Sequence, residues 1–87
     1  MYMTRQIAID ASRDTKFHSE LLNAMLRYIN DDWGDLCEDD KAMNKEASEN
    51  GGRILAAYST SRGKIYIITD DVKSINPTTT VLYANEY

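Results

Sequence analysis

Three short runs of strand-forming residues occupy the last third of the chain, and the loops between them are too short for parallel pairing. Residues 53–59 and 64–70 are rich in aliphatic, β-branched and aromatic side chains, and a short loop ending in Gly63 separates them. Residues 78–83 form a third, Thr/Val-rich run after a loop that contains Pro77. Parallel neighbours need a crossover of a dozen or more residues. The sequence therefore predicts a three-stranded antiparallel meander.

Two helices are predicted upstream of this meander. Residues 16–29 have an apolar face of helical period, made of Phe17, Leu21, Met25 and Tyr28 and widened by Leu22, Leu26 and Ile29. The segment 30–34 favours a turn because Asn, Asp and Gly tolerate left-handed backbone. Residues 36–49 predict a second, weaker helix, with Asp35 as its N-cap and the glycines at 51–52 as its stop.

The N-terminal segment completes the predicted fold. Residues 2–10 alternate in the manner of a strand, with Ile7 and Ile9 on one side. The predicted order is therefore β-α-α-β-β-β, in one domain spanning residues 1–87. We expect a two-layer α+β fold, in which an antiparallel sheet of the meander plus the N-terminal strand carries both helices on one face.

Bulk composition excludes several classes of protein. The 87 residues have a net charge of −4, which argues against direct binding of nucleic acid through its phosphates. The single cysteine excludes an internal disulfide and favours a reducing, cytoplasmic setting. The N-terminus lacks the apolar core of a signal peptide and no apolar run reaches membrane-spanning length, so no membrane association is expected.

The acidic charge is concentrated in residues 31–50, which carry eight acids and two lysines and therefore a local charge of −6. Three interpretations are open: solvated acids that stabilise a helix start, an acidic surface for a partner, or a metal or catalytic site. Trp33, within this segment, either plugs the end of the core or anchors an interface. The candidate partner-binding residues are Asp31, Asp32, Trp33, Asp35, Glu38, Asp39, Asp40, Glu46 and Glu49.

No residue pattern predicts catalysis, a metal or a cofactor. If Gly34 took the invariant glycine position of an EF-hand loop, Ile29 would fall at the first ligand position, so the spacing fails. His18 and Cys37 are each single and have no partner at metal-ligand spacing. We therefore predict a protein that is not an enzyme and uses no cofactor.

Five segments of the chain resemble a family of short proteins encoded on plasmids, phages and conjugative elements of Gram-positive bacteria. The segments are residues 4–9, 32–40, 52–58, 64–70 and 79–83, and the most distinctive is Asp-Trp-Gly-Asp at 32–35. The resemblance implies a genomic setting and transfers no functional residue. Small acidic proteins of mobile elements are often anti-defence factors, including anti-CRISPR and anti-restriction inhibitors.

That setting leads to one leading hypothesis and two alternatives. The leading hypothesis is a nucleic-acid mimic that inhibits a host defence nuclease by presenting acidic charge to a basic channel. The first alternative is a domain that binds or sequesters a small ligand. The second is an antitoxin or regulatory accessory of the mobile element, which would bind a basic partner protein. The sequence is also compatible with a homodimer.

Overall fold

A four-stranded mixed sheet and three helices make up the α+β fold. The structure is a computed structural model that describes all residues from Met1 to Tyr87. In chain order its elements are β1 (Tyr2–Met3), α1 (Arg5–Arg13), α2 (Thr15–Ile29), α3 (Glu38–Asn50), β2 (Ile54–Thr60), β3 (Gly63–Asp70), β4 (Thr78–Tyr83) and a 3₁₀ turn (Ala84–Glu86). No helix is both long enough and apolar enough to span a membrane.

The predicted meander is confirmed. Strands β2, β3 and β4 are antiparallel neighbours, and the spatial order of the sheet is β1-β4-β3-β2. The prediction that every strand is antiparallel was wrong at one position, since β1 pairs with β4 in the parallel direction. Parallel pairing is available to β1 because three helices and two strands lie between β1 and β4 in the chain, which leaves ample length for the crossover.

The predicted strand at residues 2–10 was also wrong beyond its first two positions, because residues 5–13 form helix α1. Thr4 caps this helix by accepting a hydrogen bond from the backbone N–H of Ile7, and the Gln6 side chain donates to Asp10 one turn later. Ile7 is buried and Ala11 is half-buried against the core. Ile7 and Ala11 are four residues apart, which places them on one face of a helix. The same segment therefore fitted both a strand, through its two-residue alternation, and a helix, and the helix is what forms.

Helix α2 is confirmed, and Asp14 caps it by accepting from the backbone N–H of Phe17. The core lies between α1, α2 and one face of the sheet. It contains Ile7, Phe17, Leu21, Ala24, Ala56, Tyr58, Ile65, Ile67, Val81 and Tyr83. The residues that were predicted to widen the apolar face of α2 are not buried: Leu22, Leu26 and Ile29 remain exposed.

Helix α3 is confirmed as an element but differs in its start and its position. It begins after Cys37, so the predicted N-cap at Asp35 was wrong. Asp35 is instead engaged with β2 through both its backbone N–H and its carboxylate. The helix lies at the outer edge of β2, where the Asn44 side chain donates to the backbone oxygen of Leu55 (2.7 Å) and accepts from its N–H (3.2 Å). These two hydrogen bonds attach α3 to the free edge of the sheet.

Candidate protein-binding face

The loop between α2 and α3 is attached to the edge of β2 as a short additional strand. The N–H of Ala57 donates to the backbone oxygen of Trp33 (3.2 Å), and the N–H of Asp35 donates to the backbone oxygen of Ala57 (2.8 Å). Gly34 lies between these two bonds with a φ of +77°. A Cβ at this position would lie 2.0 Å from the Ala57 oxygen, so the close approach of the two backbones requires glycine.

Tyr58 organises the first half of this loop. Its buried hydroxyl donates to the backbone oxygen of Asp32 (2.7 Å), and the Arg27 guanidinium lies 5.1 Å from the centre of its ring. Arg27 also forms a two-bond ion pair with the Asp32 carboxylate, with the Nε–Oδ2 distance at 2.8 Å. The hydrogen bonds from Arg27, and then that from the backbone N–H of Gly34, lower the pKa of Asp32. Asp32 is therefore ionised and already neutralised by a cation.

The other two predicted acids of the loop, Asp35 and Asp31, differ in whether their carboxylates have a partner in the chain. The Asp35 carboxylate accepts a hydrogen bond from the Ser59 hydroxyl (2.8 Å). Asp31 is exposed and adopts a left-handed backbone with a φ of +60°, which turns the chain at the end of α2. Of the three loop aspartates, only Asp31 carries a charge without a side-chain partner in the structure.

Helix α3 carries its acids at exposed positions. Only Asn44 and Ala47 are buried among its 13 residues, and both lie on the side that meets β2. All five acidic side chains of the helix are exposed: Glu38, Asp39, Asp40, Glu46 and Glu49. The only cation within 4.0 Å of any of them is Lys41, which pairs with Glu38 at that limit. We call the set Asp31, Glu38, Asp39, Asp40, Glu46 and Glu49 the acidic face.

Part of this charge also stabilises the helix itself. Cys37 occupies the N-cap position but makes no side-chain hydrogen bond, so the first turn lacks the usual polar cap. Glu38, Asp39 and Asp40 lie in that turn, where negative charge interacts favourably with the helix dipole. Glu49 lies in the last turn, where the dipole disfavours negative charge, and Glu46 lies just before that turn, where the dipole gives it no stabilisation. Helix stability therefore accounts for the first three acids and not for the last two.

Trp33 lies at the end of the core, half-buried and packed against the core cluster. Together with Tyr28 and Thr69 it lines an open hollow of about 400 Å³. The Tyr28 hydroxyl is hydrogen-bonded to that of Thr69, which in turn contacts the Thr79 hydroxyl at 2.8 Å. Packing against the core matches the interpretation of Trp33 as a plug, and its exposed part remains accessible from the hollow.

Outside the acidic face, the ionisable side chains Asp10, Asp14, Arg62 and Tyr83 form one hydrogen-bonded and ion-paired cluster. No three His, Cys, Asp or Glu side chains come close enough together to hold a metal ion. His18 is exposed on α2, and Cys37 is exposed at the start of α3. The five acids of α3 are exposed.

Several residues that shape this face were not identified from the sequence. Asn44 attaches α3 to β2, and Arg27 fixes the loop from the preceding helix. A polar residue in the middle of the thin apolar side of α3 was the available signal for Asn44.

The sequence matches no protein-family model, and neither curated proteins nor solved structures show a significant similarity to it.

Proposed function

We propose that this protein is a non-enzymatic inhibitor that binds a basic surface of a host defence nuclease through its acidic face. The observation that carries the proposal is the exposure of five acids on a helix whose only buried residues hold it to the sheet. An ordered scaffold costs less entropy on binding than a flexible tail. The choice of a nuclease as the target rests on the resemblance to mobile-element proteins.

The negative charge per unit length of α3 determines how much of a nucleic-acid duplex the helix could imitate. A helix of 13 residues spans about 20 Å. A DNA duplex of that length carries about 12 phosphate charges, whereas five acids and two lysines give α3 a net charge of −3. The helix is therefore a weak electrostatic substitute for a full duplex. It is better suited to a local basic patch, such as the entrance of a nucleic-acid channel, than to a whole channel.

The last two acids of α3 provide the sharpest test. The double variant Glu46→Lys and Glu49→Lys reverses charge near the helix C-terminus, where positive charge is favoured by about 0.3–1 kcal/mol. Folding should therefore be retained, while affinity for a basic partner should fall at least ~10-fold. The measurement is cleavage of plasmid DNA by a panel of purified CRISPR effector nucleases and restriction enzymes from Gram-positive bacteria, with and without each variant.

A control separates the local surface from net charge. Lysine at four exposed neutral positions outside the acidic face adds the same four units of positive charge as the double Glu→Lys variant: Ser19→Lys, Asn23→Lys, Ser74→Lys and Asn76→Lys. Inhibition should survive in this control and decline with added salt for the native protein. Equal inhibition by the native and the reversed proteins would rule out the acidic face. If no nuclease of the panel is inhibited, but a basic protein encoded beside this one binds through the same face, the accessory role replaces inhibition.

The hollow beside Trp33 supports a second candidate function, the binding of a small ligand. Its volume of about 400 Å³ is within the usual range for ligand sites, and aromatic and hydroxyl side chains line it. A ligand that binds only the folded protein raises the unfolding temperature. Screening nucleotides and common metabolites by thermal shift, with Trp33→Ala as the control, tests this candidate. It would be abandoned if no compound shifted the native protein.

A further inference from the structure

The open hollow of about 400 Å³ lies at one end of the sheet, on the same face as the core. Ile54, Thr69 and Thr79 line it and are register partners on β2, β3 and β4, so they form one row across this face. Helix α2 ends at Ile29, which also lines the hollow, and the hydroxyl of Tyr28 is bonded to that of Thr69. The row therefore lies where the helix ends, which leaves space for a small molecule.

The three hydroxyl groups of the hollow have one more proton than they use. Tyr28 is hydrogen-bonded to Thr69, and Thr69 is bonded to Thr79 at 2.8 Å. Whichever way these two bonds point, they use two of the three hydroxyl protons. Burial, followed by the negative charge of Asp31, raises the pKa of Tyr28 above its ordinary value, so its hydroxyl keeps its proton at neutral pH. One hydrogen-bond donor is therefore left for an acceptor on a ligand.

Asp31 is the only residue lining the hollow whose side chain is charged. It is exposed, and its carboxylate takes part in none of the ion pairs of the chain. A carboxylate attracts amino groups and repels phosphates. The rings of Trp33 and Tyr28 add aromatic surface, on which flat ring systems stack. The hollow thus favours a flat ring with an amino group and an acceptor, and disfavours a phosphorylated ligand.

We propose that the hollow binds a single amino-substituted heteroaromatic ring without a phosphate group, such as a free nucleobase. The ring stacks on Trp33, a ring nitrogen accepts the spare hydroxyl proton, and the amino group donates to Asp31. A volume of about 400 Å³ is near the lower end of the range for ligand sites, which suits one ring system better than a dinucleotide. This inference rests on the second candidate function, the binding of a small ligand, and adds the chemical class of that ligand.

The fluorescence of Trp33, the only tryptophan of the chain, reports directly on the hollow. Titration with adenine should change this fluorescence until the site is saturated. Purine, which lacks the amino group, should bind about 10-fold more weakly, because one hydrogen bond to a charged acceptor is lost. Adenosine monophosphate should bind more weakly than uncharged adenosine, because its phosphate is repelled by Asp31.

Asp31→Asn tests the role of the charge while it keeps the shape of the side chain. Asparagine tolerates the left-handed backbone that Asp31 adopts, so the fold should be retained. Binding of adenine should weaken about 10-fold, and the preference for adenosine over its monophosphate should disappear. Asp71→Asn is the matched control, since Asp71 is also exposed and left-handed (φ +52°) but does not line the hollow. It should leave the binding of adenine unchanged.

The failure of this inference is distinguishable from the failure of the candidate function on which it rests. If other metabolites or nucleotides bind at the hollow and adenine does not, the chemical class is wrong and the binding of a small ligand stands. If no compound binds, both are wrong. Equal weakening of adenine binding by the Asp31 and Asp71 variants would also overturn the proposal, because the effect would then not belong to the hollow.

Discussion

The two edge strands of the sheet, β2 and β1, differ in whether other parts of the chain bond to their outer backbone groups. At the β2 edge, the Asn44 side chain bonds the backbone of Leu55, and the loop at Trp33 and Asp35 bonds the backbone of Ala57. At the β1 edge, the sheet ends in a two-residue strand that is paired only with β4. Unpaired strand edges invite association with other chains. One edge is thus closed by hydrogen bonds from the same chain, whereas the other is protected only by the shortness of its strand.

The difference shows that closing an edge requires polar groups in fixed positions. Leu55 and Ala57 direct their backbone groups outward, and each finds both a donor and an acceptor. An acidic helix can therefore lie against a strand with little apolar burial, because hydrogen bonds hold it there. The exposed acids on its other sides are free for a different use.

Gly34→Ala should cause the largest loss among variants of the β2 edge. Its Cβ would overlap the Ala57 oxygen and its backbone would be strained, so we expect a loss of about 3 kcal/mol or more in the free energy of unfolding. Gly63→Ala is the control, because Gly63 also has a positive φ (+101°) but has open space around it. It should lose only about 1–2 kcal/mol. Denaturant unfolding measures both, and equal losses would mean that the close approach is unimportant.

Asn44→Ala should have the next largest effect. It removes two hydrogen bonds and leaves the N–H and C=O of Leu55 without partners, so we expect a loss of about 2 kcal/mol. Ser48→Ala, on the same helix, removes only a bond to the helix backbone and should change stability by less than about 0.5 kcal/mol. The opened β2 edge should also aggregate more readily, which light scattering would detect. A stable, unaggregated Asn44→Ala protein would contradict the closed-edge interpretation.

The smallest expected effect concerns pH. Because the pKa of Asp32 is lowered in the folded state, its ionised form contributes stability above its unfolded pKa of about 3.9. That contribution is lost as the pH falls from about 4 through the folded value. Arg27→Gln should therefore weaken the protein at neutral pH and make the acid-induced loss shallower.

Lys45→Gln is the control for Arg27→Gln, since it removes the same charge from α3 and does not contact Asp32. Urea unfolding of the three proteins at several values between about pH 2 and 7 makes the comparison. Identical pH profiles for the native protein and Arg27→Gln would show that the ion pair does not stabilise the loop.

Most of the strands and helices followed from local patterns. The meander follows from strand-forming runs joined by short loops, and α2 follows from two apolar rows that share one helical phase. The N-terminal helix was missed because Ile7 and Ile9 satisfy a period of two as well as Ile7 and Ala11 satisfy a period of four. Within the candidate site, the composition identified the acids, but it could not show that Asp32 and Asp35 already have partners within the chain.

Local sequence was enough for α2, α3, the three strands of the meander and the concentration of charge, because periodicity and composition are properties of neighbouring residues. Only the tertiary structure decided where α3 lies, which acids are free, and which apolar residues of α2 remain exposed. These outcomes depend on contacts between residues that are distant in the chain, such as Asn44 with Leu55 and Gly34 with Ala57. An apolar face shows that a helix can be buried on that side, but the amount of sheet available to cover it is set by the whole fold.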